Sequence, residues 1–327
     1  MAASVDRCAA GHDTAFDYRT LAARGRVLVV GDGDYEFSLA LARTAADASW
    51  LTASALDAAP VDAAAAARAA ELAARGATVA HGVDATALPE AAPPFDAVVF
   101  NFPYVVVAGR RPKIDDNRRL LERFFASAAR SLAAAGVVVV ALARDQGGTP
   151  FDAGAGARLD HYGNSWRVVD AAARSGLVLR AVGAPPSFPA GYTPGGYRGG
   201  ADDAGRRIAD AYRGAAVAHV FGREGGAPPL HAVPHAHDLS FWAPRGASGF
   251  PELAAALAAA RGADLRAATV VDAYECETSK RAATTFRVVV ASGARALSRD
   301  ASRELAAACC DEARRTLGFE PRTYVCS

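Results

Sequence analysis

A doubly wound α/β domain of mostly parallel strands, followed by an α+β domain of the split β-α-β type, is the architecture the sequence predicts. Three observations carry it. Short apolar runs rich in β-branched residues alternate with helix-like stretches through the first half. These runs do not alternate in polarity, as strands covered on both faces require. The first run ends in Gly31-Asp32-Gly33-Asp34, a small-residue turn that opens a helix. Beyond a Gly- and Pro-rich stretch at 222–234 the order changes to β-α-β-β-α-β.

Taken in order, residues 26–30 read as a buried strand ended by Gly31. A helix follows through 37–44, then a strand at 50–55, an alanine-rich helix at 60–75 and a short strand at 77–81. Residues 95–100 are another buried run. Over 117–135, Leu120, Leu121, Phe124, Phe125, Ala128 and Leu132 share one broad helical face. Gly136 ends that helix, and the all-apolar 137–143 is a strand. A helix at 166–175 and a strand at 177–182 follow. Two long loops, Gly-rich 146–163 and Pro-, Gly- and Arg-rich 184–205, break the rhythm. In the second half, strands are expected at 239–242, 268–274, 284–291 and 322–325, and helices at 251–260 and 301–317. The boundaries expected are an N-terminal extension at 1–24, a first domain at 25–222, a linker at 223–231 and a second domain at 232–327.

Composition bounds what such a chain does. Its 327 residues are long enough for two cores. With 51% hydrophobic and 22% charged residues, intrinsic disorder is excluded for most of the chain. No apolar run reaches the roughly 18 residues of a membrane span, so no membrane partner is expected. The net charge of +1 leaves no whole-protein basic footprint for nucleic acid, only the option of a local one. Of the basic residues only Lys113 and Lys280 are lysines, and alanine crowds the helices and blurs their apolar faces. The five cysteines are scattered without C-x-x-C spacing, and no signal-peptide pattern precedes them. That favours reduced thiols in the cytoplasm, nucleus or nucleolus, with an organelle left open.

The candidate chemistry lies after the strands. Small residues at Gly31 and Gly33 let the backbone approach a ligand at a helix N-terminus. Asp32 and Asp34 repel a pyrophosphate and suit a cationic, phosphate-free ligand, which favours S-adenosylmethionine over NAD. Asp57, after the second strand, is placed to hold ribose hydroxyls. Asp84, after the third, is placed to reach an adenine amino group. Asn101-Phe102-Pro103-Tyr104 ends the fourth strand. There the Asn101 side-chain oxygen and the Pro103 backbone carbonyl are expected to face one target nitrogen, and Tyr104 is placed to stack on a flipped base. His231, His235 and His237 lack the partner spacing of a zinc site and are read as structural or solvated, so no metal is expected. No Ser-His-Asp or nucleophilic cysteine arrangement stands out.

These residues resemble a known family. The runs V-L-V-V-G-D-G-D-Y-E-F-S-L-A-L-A, G-V-D-A-T, F-D-A-V-V-F-N-F-P, N-R-R-L-L-E-R-F-F and G-V-V-V-V-A-L, with Trp166, are similar to the large-subunit ribosomal RNA uridine-N3 methyltransferase-like family over about residues 25–222. The resemblance implies a class I, Rossmann-like, S-adenosylmethionine-dependent methyltransferase. It also implies cofactor binding by Gly31, Asp32, Gly33, Asp57, Asp84 and Asn101. The catalytic residues would be Asn101, Pro103 and Tyr104. The chain departs from the pattern on the substrate side. Tyr104 replaces the usual His, Val105-Val106-Val107 replaces a glycine, and the late Y-P-G-Y element is loosened to Tyr192-Thr193-Pro194-Gly195-Gly196-Tyr197.

The second half resembles the ferredoxin-fold anticodon-binding domain through H-D-L-S-F-W, V-V-D-A-Y, T-F-R-V-V-V and L-G-F-E-P-R. Both halves in this order resemble the eukaryotic ferredoxin-fold anticodon-binding domain-containing proteins. The first half implies ribosomal RNA as partner, the second tRNA. From Ala232 to Ser327 there are 12 basic and 11 acidic residues, and Arg281, Arg287 and Arg295 are the candidates for a shared phosphate-contacting face. The function expected is methyl transfer to an RNA base nitrogen, uridine N3 foremost. The alternative is a non-catalytic RNA-binding adaptor with a degenerate methyltransferase domain.

Overall fold

The computed structural model describes residues 16–105, 107, 109, 112–144, 146–149, 165–183, 187–192, 216–225, 232–243, 248–277, 280–293 and 295–322. The loops expected at 146–163 and 184–205, and Tyr197 with them, fall largely outside these residues, as do Cys8, Cys326, Val106 and His231.

A seven-stranded sheet runs in the order β3-β2-β1-β4-β5-β7-β6. Its strands are β1 (Val27–Val30), β2 (Leu51–Ser54), β3 (Thr78–Ala80), β4 (Phe95–Asn101), β5 (Leu132–Ala143), β6 (Leu177–Gly183) and β7 (Ala216–Arg223). The pairs β1/β2, β2/β3, β1/β4 and β4/β5 are parallel. Their apolar side chains are buried on both faces, Val27, Val29, Val98, Val99, Val138 and Val139 among them. That is why these strands read as continuous apolar runs. Between them lie α1 (Glu36–Ala42), α2 (Ala63–Ala74), α3 (Ile114–Ser131) and α4 (Val168–Ala173). This is the Rossmann-like class expected.

Several boundaries move, each for a local reason. Helix α2 starts at Ala63 because Asp62 accepts the Ala65 N–H at 2.7 Å. Helix α3 starts three residues earlier than expected, where Asp116 bonds back to the Lys113 N–H at 2.8 Å. It ends at Ser131, and β5 begins at once with Leu132. Gly136 is therefore a strand residue, not a helix stop. A Cβ there would lie 2.8 Å from the Leu132 side chain and 3.0 Å from the Phe95 carbonyl. The glycine permits the irregular step by which β5 pairs with β4 through Phe95↔Leu132 and then Ala97↔Val137. Strand β7 occupies a stretch to which the sequence assigned no element, and it reaches into the expected linker. The N-terminal segment is not an appendage either. A 3-10 helix at Tyr18–Ala23 buries Tyr18 and Leu21, and Phe16 joins them in the core.

The chain divides into two units, Met1–Arg167 with Ala181–Phe221, and Val168–Arg180 with Gly222–Ser327. Helix α4 thus groups with the second unit, where buried Asp170 accepts the Arg299 N–H at 2.6 Å. That unit holds a four-stranded antiparallel sheet of order β11-β8-β10-β9. The strands are β8 (His235–Trp242), β9 (Asp264–Glu275), β10 (Ala282–Ala291) and β11 (Glu320–Pro321). With α5 (Phe250–Ala260) and α6 (Arg299–Leu317) they give the β-α-β-β-α-β order of a ferredoxin-like fold. Its core is aromatic, with Phe250 stacked on Phe286 at 4.4 Å and Phe241 against Phe319 at 5.6 Å. The last strand pairs at Glu320–Pro321, just before the stretch expected, of which 323–325 lie outside the described residues.

Candidate functional site

Parallel pairing sets the ends of β1, β2, β3 and β4 along one edge of the sheet. Val30 pairs with Phe100, so Gly31 and Asn101 leave their strands side by side. Gly31 has φ +69, and a Cβ on it would lie 2.5 Å from the Phe100 ring. Among the described residues, a Cβ on Gly33 would meet no atom within 4 Å, which leaves room for a ligand beside this turn. The Asp32 N–H donates to the Ser54 carbonyl at 3.1 Å, and its carboxylate accepts the Ser38 N–H at 2.7 Å. Burial of that carboxylate pushes its pKa up to about 6, against the lowering effect of the Ser38 bond, and the charge of Asp34 adds to the rise. Asp32 therefore holds the start of α1, and Asp34 accepts the Glu36 N–H at 3.1 Å.

Tyr35, which the motif reading passed over, pins this turn from the other side. It adopts φ +60, is fully buried, and places its hydroxyl 2.8 Å from His81 Nδ1 and 3.3 Å from the Ala80 carbonyl. Burial, with the charges of Asp32 and Asp57, raises its pKa to about 12. The loops after β2 and β3 are joined by Gly82 N–H to Asp57 O and Val83 N–H to Ala55 O, both 2.9 Å. Asp57 is exposed there beside Leu56, an apolar side chain 65% exposed. Asp84 uses Oδ1 to accept both the backbone N–H and the hydroxyl of Thr86, each at 2.8 Å, and so caps a 3-10 turn at Ala85–Ala87.

At the end of β4, Phe102 is held at φ +49 with its N–H on the Ala141 carbonyl at 2.8 Å. A bulky side chain in this region is strained and persists only where its surroundings enforce it. Pro103 is buried and Tyr104 half-buried. The loop is tied to α3 by the buried Asn117, whose Oδ1 accepts the Val105 N–H at 3.1 Å. The bond ties the N-R-R-L-L element of α3 to the loop that follows N-F-P. The Asn101 side-chain oxygen, expected to face a target nitrogen, instead accepts from the Tyr18 hydroxyl at 2.7 Å, while Asn101 Nδ2 is buried with no partner among the described residues. From the late aromatic element, Tyr192 packs edge-on against Phe37 at 5.2 Å and Phe188 at 5.3 Å. Burial and the charges of Asp32, Asp34 and Glu36 raise its pKa.

The six cofactor candidates and three catalytic candidates thus share one sheet edge. Arg281 and Arg287 lie on the same face of the sheet, and Arg295 does not. Arg281 pairs with Glu320 and lies over the Trp242 ring at 4.9 Å, and Arg287 pairs with Asp238 at 2.7 Å. Arg295 lies beyond β10 and donates to the Arg261 carbonyl at 2.7 Å, so it is not part of a strand face. The structure groups instead Trp242, Tyr274, Arg281 and Arg322. Arg322 lies 4.8 Å from both ring centres. Among the described residues no cluster of three or more His, Cys, Asp or Glu could hold a metal, and no helix is long and apolar enough to cross a membrane.

Comparison with known proteins agrees with the resemblance carried by the motifs. Residues 28–189 match the BMT5-like family, described as rRNA (uridine-N3-)-methyltransferase BTM5-like. The chain is 37% identical over 196 residues to the human ferredoxin-fold anticodon-binding domain-containing protein 1, covering 53% of this chain and 28% of that protein. The homolog from Mus musculus is 40% identical over 185 residues, with the same shares. The match thus spans little more than a quarter of the length of these relatives. Among solved structures, a TehB-like SAM-dependent methyltransferase from Corynebacterium glutamicum covers 64% of this chain and 88% of its own, at 15% identity and a TM-score of 0.35.

Proposed function

We propose that this chain, whose residues 28–189 match the BMT5-like family, transfers a methyl group from S-adenosylmethionine to a base nitrogen of RNA, uridine N3 foremost. One observation supports it above the others. Among the described residues, a buried amide nitrogen at the end of β4, Asn101 Nδ2, lacks a partner, at the sheet edge where no described atom crowds Gly33. A buried donor without an acceptor costs about 1–3 kcal/mol, which a bound base would relieve.

The residues present fit this cofactor. Gly31 and Gly33 bring the backbone close at the start of α1, and Asp57 faces outward to take ribose hydroxyls beside the apolar Leu56. Among the described residues Asp84 accepts only through Oδ1, which leaves Oδ2 to take an adenine amino group. Acidic Asp32 and Asp34 suit a positively charged ligand without phosphates. When bound, S-adenosylmethionine supplies a methyl on a sulfonium, so no covalent protein intermediate is needed. The chain has to align the base with that methyl and let N3 release its proton to solvent. Asn101 and the Pro103 carbonyl orient the base, and Tyr104 stacks on it. Uridine N3 is occupied in Watson–Crick pairs, so the target is unpaired or flipped out.

In the second unit, Trp242, Tyr274, Arg281 and Arg322 combine aromatic faces with guanidinium groups, the means by which proteins hold single-stranded RNA. This surface would raise the local concentration of RNA at the sheet edge of the first unit. It also motivates a second reading, an RNA-binding adaptor without transferase activity, in line with the departures at Tyr104 and Val105–Val107. Calorimetry with S-adenosylhomocysteine tests both. Micromolar binding that is lost in Asp57→Ala, together with an Asn101→Ala variant that binds but does not transfer, is expected. Binding without transfer to ribosomal or transfer RNA would favour the adaptor. No binding by the folded chain would refute the cofactor assignment.

A further inference from the structure

Tyr18 lies outside every motif, yet it is fully buried and reaches across 83 positions to the end of β4. Three rings hold it: Phe188 stacked at 5.0 Å, Phe16 and Phe37 edge-on at 5.0 and 5.1 Å. Its own N–H donates to the Ser187 carbonyl at 3.1 Å, so backbone and ring are both fixed. Burial raises the phenol pKa well above its ordinary value, which keeps the hydroxyl a proton donor at any working pH.

Among the described residues the hydroxyl has one hydrogen-bond partner, Asn101 Oδ1 at 2.7 Å. That bond decides which way the amide faces. With the amide reversed, Nδ2 would donate to the hydroxyl oxygen, and the hydroxyl proton would be left buried among phenyl rings without an acceptor. The favoured orientation spends the oxygen of Asn101 on Tyr18 and leaves Nδ2–H, a pure donor, without a partner among the described residues.

We propose that Tyr18 is a positioning residue: it turns the Asn101 amide so that its N–H donor, not its carbonyl, meets the substrate. Resting on the methyl-transfer reading of this edge, the consequence is a selection rule. A ring nitrogen flanked by carbonyl oxygens, as in uracil, offers Nδ2–H an acceptor. An exocyclic amino group, as in adenine or cytosine, sets N–H against N–H. The same donor stabilises the charge that gathers on the carbonyl oxygen as the ring nitrogen releases its proton.

Two measurements on the full chain separate this proposal from the reading beneath it. The first needs no activity: thermal unfolding of the native chain, Tyr18→Phe, Asn101→Ala and the double variant. Tyr18→Phe keeps the ring, so the chain still folds, and loses one buried hydrogen bond. It is expected to lower the midpoint by about 2–4 °C in the native background. In the Asn101→Ala background, where the hydroxyl is already unpaired, it should leave the midpoint unchanged or raise it. Additive effects would overturn the Tyr18–Asn101 contact. The second uses unmodified transcripts of ribosomal and transfer RNA with labelled S-adenosylmethionine. Tyr18→Phe is expected to bind S-adenosylhomocysteine as the native chain does, while kcat falls about a hundredfold. The rise of rate with pH should move upward by about one unit. Unchanged kcat and pH profile would overturn the positioning role. A native chain that binds S-adenosylhomocysteine but methylates neither transcript would overturn the selection rule together with the methyl-transfer reading, whatever the unfolding cycle shows.

Discussion

Asp32 does two jobs that pull against each other. Its carboxylate caps the start of α1 through Ser38, and its burial raises its pKa to about 6. A carboxylate with a raised pKa gains its charge late, as pH climbs through 6. A cationic ligand at this turn favours the ionised form, so its affinity should rise with pH over the same window. We expect calorimetric affinity for S-adenosylhomocysteine, whose ammonium carries the positive charge, to weaken as pH falls from 7 to 5. Asp32→Asn keeps an acceptor for the Ser38 N–H and removes the titration. It should bind more weakly at pH 7 and show a flat profile. A wild-type profile that is itself flat would remove Asp32 from the electrostatics of the site.

At the scale of elements, the edge is held by ties between loops and the helices beside them. Asn117 on α3 carries the Val105 N–H, and through it the loop that displays Pro103 and Tyr104. Asn117→Ala leaves a backbone donor unsatisfied, at about 1–3 kcal/mol. We expect transfer to fall further than stability does, with cofactor affinity unchanged, as read by the split between kcat and the binding constant for S-adenosylhomocysteine. Equal loss of both would mean that the loop also shapes the cofactor side. The elements that were legible in the sequence are those whose burial is locally uniform: 27–30, 97–100 and 137–143 are apolar throughout because both faces of the sheet are covered. The α3–β5 junction was not. The apolar pattern runs unbroken through Leu132, and only pairing with Phe95 shows where helix gives way to strand. Strand β7 was hidden for a related reason, since its alanines suit a helix as well as a strand.

Over the whole molecule, each unit has its own core, and the second carries its own sensitivity to acid. His235 is buried with Nε2 on the Leu297 carbonyl at 3.0 Å, and His237 bonds to the Ser302 hydroxyl at 3.0 Å. Burial lowers both pKa values. The neighbouring arginines, Arg299 for both and Arg303 for His237, add to the lowering, while Asp170 opposes it at His235 and Asp238 at His237. The folded state therefore declines protons that the unfolded chain accepts near 6.5. Stability is full above that pH and falls as pH drops below it. Urea unfolding between pH 7.5 and 5 should show this loss, and a His235→Gln/His237→Gln chain should lose less. Equal losses in both chains would rule out these histidines as its source.

The sequence by itself determined the class of each unit, the order of the elements apart from β7 and the N-terminal 3-10 helix, and the four turns that make the sheet edge. Those features depend on local composition: apolar runs for covered strands, glycine where φ is positive, an acid or amide after a strand. Tertiary structure alone decided what each of those residues is bonded to. It drew Tyr18 from a supposed extension onto Asn101, assigned Asp32 and Asp84 to helix capping, took Arg295 out of the expected phosphate-contacting face, and set Trp242, Tyr274 and Arg322 beside Arg281. The Tyr18–Asn101 and arginine–aromatic contacts join residues tens of positions apart, and no spacing rule encodes them, because their partners are chosen by packing once the sheet has formed.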